Sequence, residues 1–130
     1  MAVRRCLTLN IWLGLGGIVM FLAVALGAFG AHALKNKLSD EKMKTYQTGI
    51  QYQIAHGLGL LLLGTAGDQL ADSSLISWAG WLMTGGILLF SGSLYALSLS
   101  GARKLGAITP IGGVLFLAAW ILVVIAAIQG

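Results

Sequence analysis

Four stretches of this chain, residues 11–31, 49–66, 75–99 and 108–128, contain no Asp, Glu, Lys or Arg. Each is close to the roughly 20 residues that a helix needs to cross about 30 Å of hydrocarbon. One charge at mid-membrane costs about 2.5–3.5 kcal/mol on insertion scales, so excluding charge from four long runs is a strong constraint. Only 9% of the 130 residues are charged and 58% are hydrophobic, against roughly 25% charged in a soluble domain. So few charges cannot cover a surface that faces water. The expected fold class is all-α, an integral membrane four-helix bundle forming one domain over residues 1–130.

The formal net charge of +4 would suggest a nucleic-acid partner in a soluble protein. Here Arg4, Arg5, Lys35, Lys37, Lys42, Lys44, Arg103 and Lys104 all lie outside the apolar runs. Cations at helix ends act as topology signals and headgroup contacts, so the expected partner is the lipid bilayer and not nucleic acid. The one cysteine, Cys6, excludes an internal disulfide and a Cys-based metal site. Beside Arg4 and Arg5 it reads as a free thiol, with a juxtamembrane acylation site as the alternative. Residues 31–33 have the small-x-small form of a signal cleavage site. The preceding apolar run, however, exceeds the usual 7–15 residues of a signal core, and a retained helix is expected.

With four crossings, both termini and the second loop share one side, together with Arg4 and Arg5. Loops 32–48 and 100–107 share the other side with the remaining Lys and Arg. The positive-inside rule then places those two loops in the cytoplasm and the termini outside. Trp12, Trp78 and Trp81 fall near the outer boundary, as an aromatic belt would. Ser39 is a predicted N-cap followed by Asp40 and Glu41 in a first turn, where acids are favoured. Thr109 is a second predicted N-cap, with Pro110 at the first helical position. A faint repeat, WLGLGGIVMF from Trp12 and WLMTGGILLF from Trp81, suggests two similar helical hairpins.

Because the runs hold no charges, their neutral polar residues are the informative ones. Thr48, Gly49, Tyr52, Gln53 and His56 fall on one face of the second helix. Thr84, Ser91, Tyr95 and Ser98 fall on one face of the third. Polar groups in hydrocarbon seek partners, so both stripes are expected to face the bundle interior. His32, Tyr52, Gln53, His56, Ser91 and Tyr95 form the candidate polar or ligand site. Small residues let membrane helices approach closely, and Gly27, Gly30, Ala31, Gly85, Gly86, Gly92, Gly112 and Gly113 are the candidate packing positions. His32 and His56 lie on the same side of the membrane and are expected within reach of each other. They are read as neutral hydrogen-bonded groups; a proton or ligand site in a polar vestibule and haem ligation are the alternatives. Two histidines without carboxylate or thiolate make a thin zinc site, so no metal site is assigned. The four acids, Asp40, Glu41, Asp68 and Asp72, lie in loops. A Ser-His-Asp system therefore has no carboxylate to use, no catalytic residue is assigned and no cofactor is expected.

The motifs ALGAFGAHAL, TGIQYQIAHGLGLLL, LFSGSLYALSL and TPIGG occur in the order that marks the YgdD/YwdK-like family, and the chain resembles that family over nearly its whole length. The family comprises small bacterial inner-membrane proteins catalogued as a domain of unknown function, with mitochondrial relatives in animals. The resemblance implies a four-helix protein of the bacterial inner membrane and supplies no reaction. The expected role is a non-enzymatic accessory subunit of a membrane complex or a membrane-stabilising factor, associating with other subunits or with itself. The alternatives are a small transporter or channel with a vestibule around His32 and His56, and a haem- or quinone-associated electron-transfer protein.

Overall fold

The computed structural model describes residues 10–66 and 73–129. Arg4, Arg5, Cys6, Asp68 and Asp72, to which the sequence reading gave roles, lie outside the described residues. Helix α1 runs over Ile11–Phe29 and continues through a π-helical turn, Gly30–Leu34. Helix α2 spans Asp40–Ala66. Helix α3 comprises Ser73–Gly86, a π-helical turn at Ile87–Ser91, and Gly92–Ser100. A 3-10 turn, Arg103–Ala107, leads into helix α4, Thr109–Gln129. Three helical segments, Ile11–Leu34, Ser74–Ser100 and Arg103–Gln129, are long and apolar enough to cross a membrane. Helix α2 is 27 residues long, about 40 Å at 1.5 Å per residue, but its polar residues keep it out of that group.

The helix ends follow from local chemistry. Asn10 caps α1: its side chain accepts from the Leu13 amide at 3.2 Å and donates to the Gly64 carbonyl at 2.8 Å, so the cap also ties α1 to the far end of α2. Ser39 caps α2 as its sequence predicts, accepting from the Lys42 amide at 3.2 Å. Asp40 and Glu41 occupy the first turn. Helix α3 closes on Gly101 at φ 74°, the left-handed conformation that glycine adopts without a Cβ penalty. At α4 the helix includes Thr109 itself. The Thr109 hydroxyl is 2.6 Å from Ser93 Oγ of α3, so it joins two helices where a cap was predicted.

Helices α1 and α2 pack antiparallel along their lengths, as do α3 and α4, giving two hairpins joined mainly through α2 and α3. The apolar core gathers Leu60 and Leu63 of α2, Ile76, Ala79 and Met83 of α3, Phe116 and Ala119 of α4, and Trp12. The exterior is the reverse of a soluble protein's. Phe21, Leu88 and Ile128 are 72%, 71% and 80% exposed, whereas Gln53, His56, Ser91 and Ser98 are buried. Each large apolar side chain left in water would forgo roughly 1.5–3 kcal/mol. Lipid removes that penalty and makes buried hydrogen-bonding pairs the favoured state.

Close approach depends on a subset of the glycines. A Cβ on Gly112 would lie 2.4 Å from the Phe90 nitrogen, one on Gly30 would lie 2.5 Å from the Tyr46 ring, and one on Gly86 would lie 2.5 Å from Phe116. Gly27, Gly85 and Gly113 meet neighbours only at 3.9, 3.4 and 3.8 Å, which is ordinary contact. Gly92 is exposed with nothing within 4 Å, so it does not pack helices within the chain, and Ala31 is exposed at the rim of a cavity between α1 and α2. Gly16, Gly49, Gly57, Gly64 and Gly80 make tight contacts that small-residue spacing did not single out.

Trp12 also departs from expectation. It is buried against Gly80 and meets Trp81 edge-on, with ring centroids 5.1 Å apart. Trp78 and Trp81 stay exposed. The three indoles are gathered at one end, but Trp12 is a packing residue and not part of an outward belt.

Candidate functional site

Two polar constellations meet on α2. The first joins α1, α2 and α3. Gln53 is buried on the side of α2 that faces both hairpins. Its amide nitrogen donates to the Val19 carbonyl of α1 at 2.9 Å, and its amide oxygen accepts from the Tyr95 hydroxyl of α3. One amide thus serves as donor and acceptor at once, as its chemistry permits. One helical turn away, Ser91 donates to the Gly49 carbonyl at 2.7 Å. Gly49 is required there, because a Cβ would lie 2.6 Å from the Tyr95 ring. The Tyr46 hydroxyl donates to the Leu26 carbonyl, and the Tyr46 and Tyr95 rings pack at 5.3 Å. The π-helical turn in α3 sets this level, placing Ser91 against α2 while the Phe90 backbone lies on Gly112 of α4.

The second constellation centres on His56, which is buried between α2 and α4. The Trp120 indole is 3.0 Å from His56 Nε2. An indole N–H can only donate, so Nε2 is the acceptor and the proton sits on Nδ1. Nδ1 in turn donates to the Tyr52 carbonyl at 2.8 Å. The imidazole is therefore neutral with both nitrogens engaged. Phe116 stacks on it at 3.6 Å with the planes 11° apart. Outside this stack lies a groove of about 430 Å³ lined by Tyr52, Phe90, Pro110, Phe116 and Trp120.

The predicted site residues separate into three places. Gln53, Ser91 and Tyr95 come together, and so do Tyr52 and His56. Tyr52 is 42% exposed, so it does not face the interior as the stripe reading expected; its ring instead covers Phe90 at 4.5 Å. His32 joins neither cluster. It is exposed in the π-helical turn beside Gly30, at the level of Tyr46. His56 lies ten residues further along α2, about 15 Å at 1.5 Å per residue. The two histidines therefore form no shared vestibule and no bis-histidine pair, and His56 Nε2 is already taken by Trp120. Among the described residues there is no group of three or more His, Cys, Asp or Glu that could hold a metal ion. Trp120 was not singled out by sequence, although an indole N–H in hydrocarbon needs an acceptor and Phe116 four residues earlier marks the same face.

Comparison with known proteins matches residues 26–113 to a family model described as a protein of unknown function, DUF423. The UPF0382 membrane protein YwdK of Bacillus subtilis is 47% identical over 121 residues, covering 93% of this chain and 98% of that protein. A UPF0382 membrane protein of Staphylococcus epidermidis is 48% identical with the same coverage. Another, from Staphylococcus haemolyticus, is 45% identical over 90% of this chain and 94% of its own length. No solved structure matches.

Proposed function

We propose that this chain, a membrane protein belonging to the DUF423 family of unknown function, acts without catalysis, as a scaffold or accessory subunit that associates in the bilayer with other membrane proteins or with further copies of itself. One observation carries this reading. Among the described residues, no buried side-chain nitrogen or oxygen lacks a hydrogen-bond partner, and the interior polar groups are used up in joining helices. Gln53, Ser91 and Tyr46 bond to backbone carbonyls of neighbouring helices, and His56 is held at both nitrogens. What remains on offer is the outer surface, where Gly14, Gly17 and Gly92 have nothing within 4 Å and leave room for another helix to approach.

The same reading makes α2 a fourth crossing, with its polar face turned to α1, α3 and α4. It puts loops 32–48 and 100–107 on the cytoplasmic side of a bacterial inner membrane and both termini outside. Thiol labelling of Lys37→Cys and Lys104→Cys in a Cys6→Ser background tests the orientation; labelling of either from the outer face reverses it. Isolation of the tagged full chain in mild detergent tests the role. The expected result is a stoichiometric membrane-protein partner or a defined oligomer. A lone monomer, together with intact membrane complexes in a deletion strain, refutes it.

The groove beside His56 favours a second reading, a flat lipid-soluble ring such as a quinone lying over Phe116 and Trp120. Quenching of Trp120 fluorescence by a soluble quinone analogue, lost in Trp120→Phe, is its test.

A further inference from the structure

A second cavity lies at the charged end of the bundle, between the end of α1 and the first half of α2. Its volume is about 690 Å³. Its lining mixes chemistries. Lys35 and Asp40 line it toward the loop, Gln47 and Gln51 line it along α2, and Gly27, Ala31 and Ile50 supply its apolar part. Lys35 and Asp40 line one cavity, and among the described residues neither closes an ion pair. Gln47 and Gln51 are both exposed, one helical turn apart on the same face of α2. Their amides make no hydrogen bond to the described residues. At the level of these glutamines α1 leaves space: a Cβ on Gly27 would have only Ile50 nearby, at 3.9 Å.

We infer that this cavity is a headgroup site for a zwitterionic aminophospholipid. The phosphate would meet Lys35 and the glutamine amides, the primary amine would meet Asp40, and an acyl chain would run over Gly27 and Ala31. Three features select this class. An anion alone would leave the Asp40 carboxylate facing like charge. A cation alone would face Lys35. A soluble zwitterion would leave the apolar floor uncovered, whereas an acyl chain fills it. A primary ammonium offers N–H donors to a carboxylate that a choline trimethylammonium lacks. The cavity also lies where α1 passes from apolar residues to Lys35 and Lys37, the depth at which lipid phosphates stand.

The test uses the full chain in nanodiscs containing equal parts phosphatidylethanolamine, phosphatidylcholine and phosphatidylglycerol, with retained lipid identified by native mass spectrometry. The wild type is expected to retain one phosphatidylethanolamine in preference to the other two. Lys35→Ala is expected to weaken retention about threefold to fivefold, the scale of a partly exposed ion pair. Asp40→Asn is expected to bring phosphatidylethanolamine and phosphatidylcholine to parity. Ala31→Leu, which fills the floor from an exposed position, is expected to lower retention of all three lipids while circular dichroism and thermal unfolding stay unchanged. Equal retention of the three lipids by the wild type, or an unaltered preference in Asp40→Asn, overturns the assignment. Displacement by soluble O-phosphoethanolamine as effective as displacement by the lipid would identify a soluble phosphoamine and overturn the membrane source. The readout is lipid identity, so it succeeds or fails independently of whether any protein partner co-isolates.

Discussion

Removing the Gln53 amide tests the central packing claim most directly. Gln53→Leu keeps side-chain volume close to constant and deletes two interhelical hydrogen bonds, one to Val19 O of α1 and one from Tyr95 of α3. Measured interhelical bonds in membranes average about 0.6 kcal/mol with a maximum near 1.7, so the pair is worth about 1–3 kcal/mol. The Val19 carbonyl keeps its intrahelical partner, so most of the cost falls on the Tyr95 hydroxyl, left without its acceptor in a partly buried site. Tyr95→Phe removes that hydroxyl. Made in the Gln53→Leu background, it should therefore cost less than in the wild type, giving a coupling energy of about 0.6–1.7 kcal/mol. Reversible unfolding in mixed detergent micelles, followed by circular dichroism for the four proteins of the cycle, measures this. Strict additivity, with coupling below about 0.3 kcal/mol, would show that the two side chains do not bond, leaving the Ser91 bond to the Gly49 carbonyl as the polar tie between α2 and α3.

Gly112→Ala must push α4 off the Phe90 backbone and should cost about 1–3 kcal/mol as overpacking, whereas Gly92→Ala, at an exposed helical position, should be neutral or stabilising by up to about 1 kcal/mol; the same unfolding assay separates them. Brominated lipids should quench Trp78 and Trp81 strongly and Trp12 weakly in single-tryptophan variants, because only Trp12 is buried; equal quenching would remove it from the core. The Trp120 indole proton should exchange slowly in NMR spectra, and in His56→Phe it should exchange as fast as that of Trp78. Expressed alone with a reporter of membrane insertion, residues 40–66 should insert poorly, and insertion should rise when residues 74–129 are co-expressed.

Much of the fold is legible in the sequence because charge exclusion and capping are local. The Ser39 cap and the charge-free runs need only near neighbours to be read. The polar faces of α2 and α3 are also periodic, which is why spacing alone groups Gln53, Ser91 and Tyr95. Periodicity gives a face but not the neighbour opposite it. His56 and Trp120 stand 64 residues apart, and nothing local pairs them. Tyr52 sits on the polar face by spacing yet lies at the edge of the α2–α4 contact, half outside it. Small residues are ambiguous for a related reason. Gly30 admits the Tyr46 ring, while Gly27, one turn before it, and Ala31, the next residue, line a cavity. The absence of a side chain reads the same in sequence whether the space is filled by a neighbour or left open.

That ambiguity explains the composition of α2. It is the helix least able to enter lipid on its own, and it is the one on which the other three converge. Its Gly49, Gly57 and Gly59 receive Tyr95, Met20 and Met83, and its Gln53 and His56 are satisfied by residues of α1, α3 and α4. A fully apolar α2 would insert more readily but would offer its neighbours only dispersion contacts, which lipid tails supply equally well. Polar groups that are costly in lipid and satisfied only in one arrangement penalise every alternative packing of the same four helices. The two hairpins thus have a defined register although none of the joining groups in the interior carries a formal charge.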